Sequence, residues 1–365
     1  MSQHKQYKSA LSVSDGVEQP SVINENAVNN FKKVRRRNYS AEELTKGILE
    51  GDRMLLSKAI TLIESNLPSH IDLAHQVINN CLPHSGKSIR IGITGVPGVG
   101  KSTFIESVGK HLTNNGHQIA VLAIDPSSER SKGSILGDKT RMELLSSDKN
   151  AFIRPSPSAG TLGGVARKTR ETIFLCEAAG FDVIIIETVG VGQSEIAVHS
   201  MVDFFLLLML SGAGDELQGI KRGIMEMADL IAITKCDGSN IKKAQQAKAE
   251  YSGALHLFPP TESGWIPDVV TCSSLDNTGI PSIWNKIEEY RIFTKANSYF
   301  EKRRMSQTQY WMFETIEEQL KQNFYTNRII DANLEKVRQS VLSKELSSYS
   351  AAKILLDKYY NDLRK

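Results

Sequence analysis

The sequence of 365 residues contains only four cysteines, and no two of them form a C-x-x-C pair. They are Cys81, Cys176, Cys236 and Cys272. Their scattered spacing excludes a disulfide framework and a cysteine zinc site, and it is typical of a protein of the reducing cytosol. The eight histidines are dispersed as well, so a His-rich metal tract is also missing.

Long hydrophobic runs are absent too. The longest, residues 204–210, is far too short to cross a bilayer and predicts a buried parallel strand instead. The first twenty residues are polar and lack the apolar core of a secretion signal. We therefore expect a cytoplasmic protein with no membrane partner.

An excess of one charge is the third missing feature. The chain has 44 Lys+Arg against 41 Asp+Glu, a net charge of +3, which argues against nucleic acid or an anionic membrane as the main partner. One basic run covers residues 32–37, without interleaved aromatic residues that would stack on bases. We interpret it as a solvated entry to a helix.

One motif stands out among the residues that are present. Residues 91–103 read Ile-Gly-Ile-Thr-Gly-Val-Pro-Gly-Val-Gly-Lys-Ser-Thr, a short strand followed by the full phosphate-binding loop G-x-x-x-x-G-K-S. Glycines let successive backbone N–H groups turn toward a phosphate, Lys101 reaches the β- and γ-phosphates, and Ser102 ligates Mg²⁺. The predicted contacts are Gly95, Gly98, Val99, Gly100, Lys101, Ser102 and Thr103.

The pattern along the chain predicts four parts. We expect a flexible lead-in over residues 1–39, a helical arm over 40–87, a nucleotide domain over 88–290 and a C-terminal helical segment over 291–365. A capping box, Ser40-Ala-Glu-Glu, opens one helix in which Leu44, Ile48, Leu55, Ile60 and Ile63 recur at helical spacing, and a second helix is expected over 71–80.

Strands and helices alternate through the nucleotide domain. The predicted strands are 90–94, 118–124, 151–154, 183–187, 204–209, 230–234 and 269–272, with helices over 102–114, 165–179, 219–227 and 240–252. This alternation predicts an α/β fold of the P-loop NTPase kind, with a mostly parallel sheet covered on both faces. Three amphipathic helices follow, with apolar stripes at 313–324 and 334–346 and a last helix near 351–360; they favour a dimer contact over intramolecular cover.

Two further segments complete a nucleotide site. An apolar strand ends in Glu187 and continues as Thr-Val-Gly190, the layout of a Walker B acid followed by a loop whose Gly190 N–H binds the γ-phosphate. Another strand ends in Thr234-Lys235-Cys-Asp237, close to the guanine-selective Asn-Lys-x-Asp. Asp237 accepts two hydrogen bonds from guanine N1–H and its amine, a pattern that adenine does not offer, while Lys235 lies over the base.

The loop Cys-Ser273-Ser274-Leu resembles the Ser-Ala-x loop that approaches guanine O6. Thr234 stands where Asn is expected, which leaves open how the loop is tied to its neighbours and what contacts the purine edge. A polar segment from Asp125 to Arg141, with Asp138 within it, suggests a metal and phosphate loop.

Together these segments resemble the MeaB/ArgK family of P-loop GTPases, which are chaperones of cobalamin-dependent acyl-CoA mutases. The resemblance covers residues 40–330 and rests on Gly-Val-Pro-Gly-Val-Gly-Lys-Ser-Thr, Ile-Asp-Pro-Ser-Ser, Gly-Ser-Ile-Leu-Gly-Asp-Lys-Thr-Arg-Met, Glu-Thr-Val-Gly-Val-Gly-Gln-Ser-Glu and Gly-Ala-Gly-Asp-Glu-Leu-Gln-Gly-Ile-Lys-Arg-Gly-Ile-Met-Glu. The chain departs from the family at Thr234, where Asn is usual, and at Ser274, where Ala is usual.

The resemblance implies GTP and GDP as ligands and a Mg²⁺ ion held by Ser102, Asp125, Asp138 and Glu187. It also implies that residues 212–227 form a third switch in which Asp215 and Lys221 report the nucleotide state to the mutase, with Arg141 in the first switch. The implied partners are a methylmalonyl-CoA mutase-type enzyme that receives adenosylcobalamin, a second copy of the chain and an adenosyltransferase.

Val191 occupies the place where Ras-like proteins carry a water-orienting Gln, so we expect slow intrinsic GTP hydrolysis. Besides Lys101 and Glu187, Gln193 and Lys221 are the candidates that complete catalysis when the mutase docks. Two alternatives stay open: an ATPase or kinase of basic amino-acid (lysine, arginine, ornithine) transport, and a nickel metallochaperone GTPase. Asp237 argues against the first, and the lack of His or Cys clusters against the second.

Overall fold

The computed structural model describes residues 39–65, 67–124, 142–155, 162–188, 194–212 and 222–364. Contacts divide the chain between Ser40 and Ala41, and of the first unit only Tyr39 and Ser40 are described. The fold below is that of the second unit, residues 41–365.

A seven-stranded sheet forms the centre of this unit. Its strands are β1 (Ile89–Gly95), β2 (Ile119–Ile124), β3 (Ala151–Arg154), β4 (Val183–Thr188), β5 (Phe204–Met209), β6 (Leu230–Ile233) and β7 (Asp268–Thr271). The strand order is β3-β2-β4-β1-β5-β6-β7, and every neighbouring pair is parallel. The predicted strands are confirmed to within two residues at each end. The five inner strands are short apolar runs buried on both faces, while β3 and β7, at the edges of the sheet, are only partly buried.

Thirteen α-helices lie within the described ranges. They are α1 (Ala41–Leu49), α2 (Arg53–Glu64), α3 (Pro68–Cys81), α4 (Lys101–Asn114), α5 (Glu143–Ser146), α6 (Leu162–Ala178), α7 (Ser194–His199), α8 (Arg222–Glu226), α9 (Ile241–Leu255), α10 (Ile280–Ala296), α11 (Tyr299–Thr326), α12 (Arg328–Leu342) and α13 (Ser348–Leu363). Short 3₁₀ turns cover Leu82–His84 and Gly238–Asn240. This architecture is the α/β P-loop NTPase fold that the sequence predicts.

The first predicted helix is wrong, because the chain breaks it into α1 and α2. Gly51 adopts φ +78°, and Asp52 caps α2 by accepting hydrogen bonds from the N–H groups of Met54 (2.8 Å) and Leu55 (3.1 Å). The two helices then fold against each other so closely that a Cβ on Gly47 would lie 2.1 Å from the Leu55 side chain. An Asp that follows a Gly was the sequence signal for this break.

One part of the core lies on the face of the sheet that α4 and α10 cover. Ile91 and Ile93 of β1 pack there with Phe104 of α4 and Ile283 of α10, all of them fully buried. On the other face α7 presses onto β1, since a Cβ on Gly92 would lie 2.8 Å from Val198. Glycine at position 92 therefore allows α7 to pack close to β1.

A buried ionic network fastens α11 to the start of the sheet. Arg304 donates to both carboxylate oxygens of Asp203 (2.8 and 2.6 Å) and to the carbonyls of Gly86 and Ser88 (both 2.7 Å). Burial alone would raise the pKa of Asp203, but the hydrogen bond and charge of Arg304 outweigh it and keep that pKa below its usual value. Arg90 of β1 also donates to Glu177 of α6 (2.9 Å).

The C-terminal helices have a small core of their own, formed by Ile330, Val337, Ala351 and Leu355 of α12 and α13. By contrast, large apolar side chains of α11 are exposed, among them Met312, Phe313, Ile316 and Leu320. None of the helices in the described ranges combines the length and apolar character needed to cross a membrane.

Candidate functional site

The phosphate loop, residues 95–102, follows the carboxyl end of β1. Gly95 lies against β5, where a Cβ would meet the Leu208 carbonyl at 2.5 Å. Gly98 (φ +76°) and Gly100 (φ +89°) adopt left-handed backbone conformations that favour glycine. Gly100 is the N-cap of α4, so the positive end of this helix dipole faces the loop. The loop thus has the backbone of an anion site.

Lys101 begins α4 and points back across the loop. Its Nζ donates to the carbonyl of Gly95 (2.8 Å). Burial lowers its pKa below the usual value, while the negative charges of Glu187 and Glu195 oppose that shift. A cation held in this way is ready for a polyphosphate, whose charge would replace the carbonyl as its partner.

The Walker B strand β4 brings Glu187 to the same place. The Ser102 hydroxyl lies 3.4 Å from the Glu187 Oε1, and the buried hydroxyl of Thr188 donates to that of Thr94 on β1 (2.8 Å). In the part of the chain that the structure describes, no three acidic, histidine or cysteine side chains cluster as a metal site. Mg²⁺ typically uses one or two protein oxygens together with phosphate and water, so Ser102 and Glu187 fit this ion.

The first base loop, residues 234–237, follows β6 and contacts the phosphate loop directly. The Thr234 hydroxyl donates to the Val99 carbonyl (2.9 Å), and Lys235, with φ +56°, donates from Nζ to the Gly98 carbonyl (2.8 Å). Asn240 supports the turn through a hydrogen bond to the Lys235 carbonyl (2.7 Å). The structure therefore shows how this loop is tied even though Asn is absent from position 234.

The second base loop, residues 272–275, lies beside the first. The Ser273 hydroxyl donates to the Asp237 Oδ2 (2.8 Å), and the N–H of Cys236 donates to the Cys272 carbonyl (2.9 Å). Ser273 is fully buried, so its side chain acts by orienting the Asp237 carboxylate. Ser274 is half-buried. The sequence motifs predicted that both loops contact guanine, but they could not show that Ser273 orients Asp237.

A further bond connects the turn just after the second base loop to α4. Ser107, one and a half turns after Lys101, hydrogen-bonds through Oγ to the Asn277 Oδ1 (2.5 Å). Asn277 adopts φ +58°, a conformation that Asn tolerates better than most residues. The phosphate loop, α4 and both base loops are therefore linked to one another.

Several predicted site residues lie outside the described residues. They are Asp125, Asp138, Arg141, Gly190, Gln193, Asp215 and Lys221. The structure does bring together Lys101, Ser102 and Glu187 at one end of the site and Lys235, Asp237 and Ser273 at the other. Thr103, in the first turn of α4, is exposed, and Val99 is buried beneath the loop.

Glu195 is the site residue that sequence reasoning missed. It lies in the first turn of α7, is only 3% exposed, and its Oε2 has no hydrogen-bond partner among the described residues. Its charge favours the protonated form of Lys101. A glutamate directly after the Gly-rich segment that follows the Walker B strand was an available but ambiguous signal.

Known proteins resemble this chain over most of its length. The family model described as "Methylmalonyl Co-A mutase-associated GTPase MeaB" matches residues 56–328. "Methylmalonic aciduria type A homolog, mitochondrial" of Mus musculus is 46% identical over 86% of this chain and 78% of its own. "GTPase ArgK" of Escherichia coli is 44% identical over 84% of this chain and 92% of its own.

A solved structure gives the same result for the fold. The crystal structure of "LAO/AO transport system kinase" superposes with a TM-score of 0.70 at 36% sequence identity, and it covers 87% of this chain and 96% of its own. A family match over most of the chain, relatives above 40% identity and a phosphate loop of the expected geometry all agree. The chain therefore belongs to the MeaB family of methylmalonyl-CoA mutase-associated GTPases, and it hydrolyses GTP.

Proposed function

We propose that this GTPase is a chaperone that gates the loading of adenosylcobalamin into a cobalamin-dependent acyl-CoA mutase of the methylmalonyl-CoA mutase type, and that it protects the loaded enzyme. The observation that carries this proposal is the match of residues 56–328 to a family described by its association with that mutase. The name of the mouse relative, which refers to methylmalonic aciduria, supports the same client.

Within this function, Lys101 contacts the β- and γ-phosphates of GTP, and Ser102 and Glu187 hold Mg²⁺ together with Asp125 and Asp138. The ion, when bound, neutralises charge that develops on the transferred phosphoryl group. Lys235 covers the base, and Asp237, oriented by Ser273, accepts the hydrogen bonds of guanine. Gly190 contacts the γ-phosphate, so its loop changes when phosphate leaves.

The mutase completes catalysis in this proposal. Because Val191 replaces a water-orienting side chain, positioning of the attacking water falls to Gln193 or Lys221 when the mutase docks. Asp215, Lys221 and Arg141 report the nucleotide state to the partner, and an adenosyltransferase delivers the cofactor. We also propose that the protein acts in the cytoplasm.

We also propose a homodimer in which the exposed apolar face of α11 packs against a second copy of the chain. Phe313, Ile316 and Leu320 lie three to four residues apart and share one side of the helix. Their exposure on a helix whose other side is fastened by Arg304 supports an interface rather than a cover for the sheet.

The decisive experiment is steady-state hydrolysis of GTP and of ATP, each with and without a purified cobalamin-dependent methylmalonyl-CoA mutase. We expect slow, GTP-selective turnover that the mutase accelerates. Lys101→Ala is the control, because it removes the phosphate contact and should abolish the rate that belongs to this protein. A GTPase rate that the mutase leaves unchanged would remove the chaperone proposal.

The name of the superposed structure gives one competing function, a kinase of basic amino-acid transport. That function predicts a preference for ATP and a phosphorylated acceptor. The same assay decides between the two, since adenine has no N1–H or 2-amino group to donate to the Asp237 carboxylate.

A further inference from the structure

Thr234 is the position where this chain departs from the usual base motif, and its side chain has a defined task. It is 2% exposed, and its hydroxyl lies 2.9 Å from the Val99 carbonyl and 3.3 Å from the Met209 carbonyl. A hydroxyl carries a single hydrogen, so it serves the nearer acceptor. That hydrogen is therefore committed to the phosphate loop.

The neighbouring residue makes the same kind of contact. Lys235 donates to the carbonyl of Gly98, so two consecutive residues of the first base loop bind two consecutive carbonyls of the phosphate loop. The Asn240 amide donates a hydrogen bond to the Lys235 carbonyl and so stabilises this turn. The Asn240 Oδ1 in turn accepts a hydrogen bond from the Ser211 hydroxyl (2.7 Å). The backbone at Thr234 is fixed too, because its N–H donates to the Met209 carbonyl (2.8 Å).

We propose that Thr234 keeps the tie between the two loops and makes no contact with N7 of the purine, an acceptor that guanine and adenine share. An asparagine amide carries two N–H hydrogens, so it could bind Val99 with one and a purine acceptor with the other. A threonine that is buried and already donating has none left. Asp237 then identifies guanine through its Watson–Crick edge, and residue 234 makes no contact with N7 on the imidazole edge.

This inference rests on the proposed guanine site, and titration calorimetry with GDP and 7-deaza-GDP tests it. The second nucleotide lacks the N7 acceptor, and neither is hydrolysed during titration. We expect the wild-type protein to bind both with the same Kd. In Thr234→Asn, GDP should bind about fivefold more tightly than 7-deaza-GDP, the effect of one ordinary hydrogen bond.

Thr234→Val removes the tie with little change of volume, and it should weaken both nucleotides by the same factor. Thr234→Ser keeps the hydroxyl and should restore wild-type affinity, which separates loss of the tie from a general folding defect. Wild-type protein that prefers GDP over 7-deaza-GDP as strongly as Thr234→Asn does would overturn the inference.

A separate variant tests the guanine site on which the inference rests. Asp237→Asn should shift preference from GDP toward xanthosine diphosphate, because the amide donates to the xanthine oxygen that replaces the guanine amine. If the preference for GDP over xanthosine diphosphate is unchanged, Asp237 does not bind guanine as proposed. The comparison of GDP with 7-deaza-GDP still measures whether the protein contacts N7.

Discussion

Lys101 illustrates at the scale of one residue how the site prepares for a polyanion. Burial in the phosphate loop lowers the pKa of Lys101, and the negative charges of Glu187 and Glu195 offset part of that decrease. Glu187 sits beside Ser102 and has a proposed role at the metal, which leaves Glu195 as the carboxylate whose described task is electrostatic. Its negative charge favours the protonated form of Lys101.

Neutralising Glu195 should therefore lower the pKa of Lys101 further. In Glu195→Gln we expect the loss of GDP binding at alkaline pH to begin at a lower pH than in the wild-type protein. The measurement is the GDP Kd from about pH 7 to about pH 10. The titration of guanine itself is common to both proteins and cancels in the comparison.

Glu250→Gln, on the exposed side of α9, is the matched control and should leave the profile unchanged. An unshifted alkaline limb in Glu195→Gln would show that this carboxylate does not support the charge of Lys101.

Single residues also mark where sequence reasoning stopped. The pattern G-x-x-x-x-G-K-S predicts the role of Lys101 because backbone spacing alone determines where it points. The tie from Thr234 to Val99 could not be predicted, since it depends on a side-chain rotamer and on how β6 is placed beside β1 and β5. Glu195 was missed for the same reason, because its burial depends on how deeply α7 packs over Gly92.

At the scale of elements, α4 does more than present a phosphate site. Its last turns contact the loop before β3, where Lys110 (2.5 Å) and Thr113 (2.8 Å) both donate to the Asp148 Oδ2. The hydrogen bond from Lys110 and that from the Asn150 N–H lower the pKa of Asp148 to about 2. This carboxylate thus fixes the far end of α4 to the edge of the sheet.

A carboxyl group whose folded pKa is depressed stabilises the fold above its unfolded pKa and loses that contribution as the pH falls. For Asp148 the loss should run from about pH 4 to about pH 2. Asp148→Asn should therefore be less stable than the wild-type protein at pH 5, and the gap should narrow as the pH falls toward 2. Urea unfolding at several pH values measures this gap, and a gap that stays constant would contradict the assignment.

Element boundaries were predictable where local chemistry determines them. The seven strands are short apolar runs flanked by polar turns, and all seven are found. The break between α1 and α2 and the existence of α10 were not predicted, although Gly51-Asp52 and Gly279-Ile280-Pro281 are ordinary stop and start signals. At Gly51-Asp52 an apolar periodicity that continues past the signal hid the boundary.

At the scale of the whole molecule, one buried ion pair contributes to the connection between α11 and the sheet. Arg304 and Asp203 are both largely buried, so removing one partner leaves an uncompensated charge or several unpaired carbonyls. We expect Arg304→Ala to lower the free energy of unfolding by about 3–5 kcal/mol. Thermal and urea unfolding measure this loss.

Arg338→Ala is the matched control for that variant. Arg338 pairs with Glu335 on α12 with both side chains about two-thirds exposed, and such exposed pairs contribute little to stability. If the two variants were equally stable, the Asp203 network would not be what fastens α11.

The proposed dimer is the second property of the whole molecule. Placing a charge in the apolar face of α11, as in Ile316→Glu, should give a monomer, because association would bury an unpaired carboxylate. Light scattering coupled to gel filtration reports the mass. Gln322→Glu adds the same charge at an exposed position on the opposite side of α11 and should leave the dimer intact. A wild-type protein that is monomeric at micromolar concentration would end this proposal.

The bond between Ser107 and Asn277 closes a ring of contacts that runs from α4 through both base loops and back to Val99. A closed ring is preorganised, so nucleotide loses its own freedom on binding without also having to order this backbone. We therefore expect the heat-capacity change of base binding to match the surface that the purine buries. Opening any single bond of the ring should add a conformational-entropy cost to binding at both ends of the nucleotide.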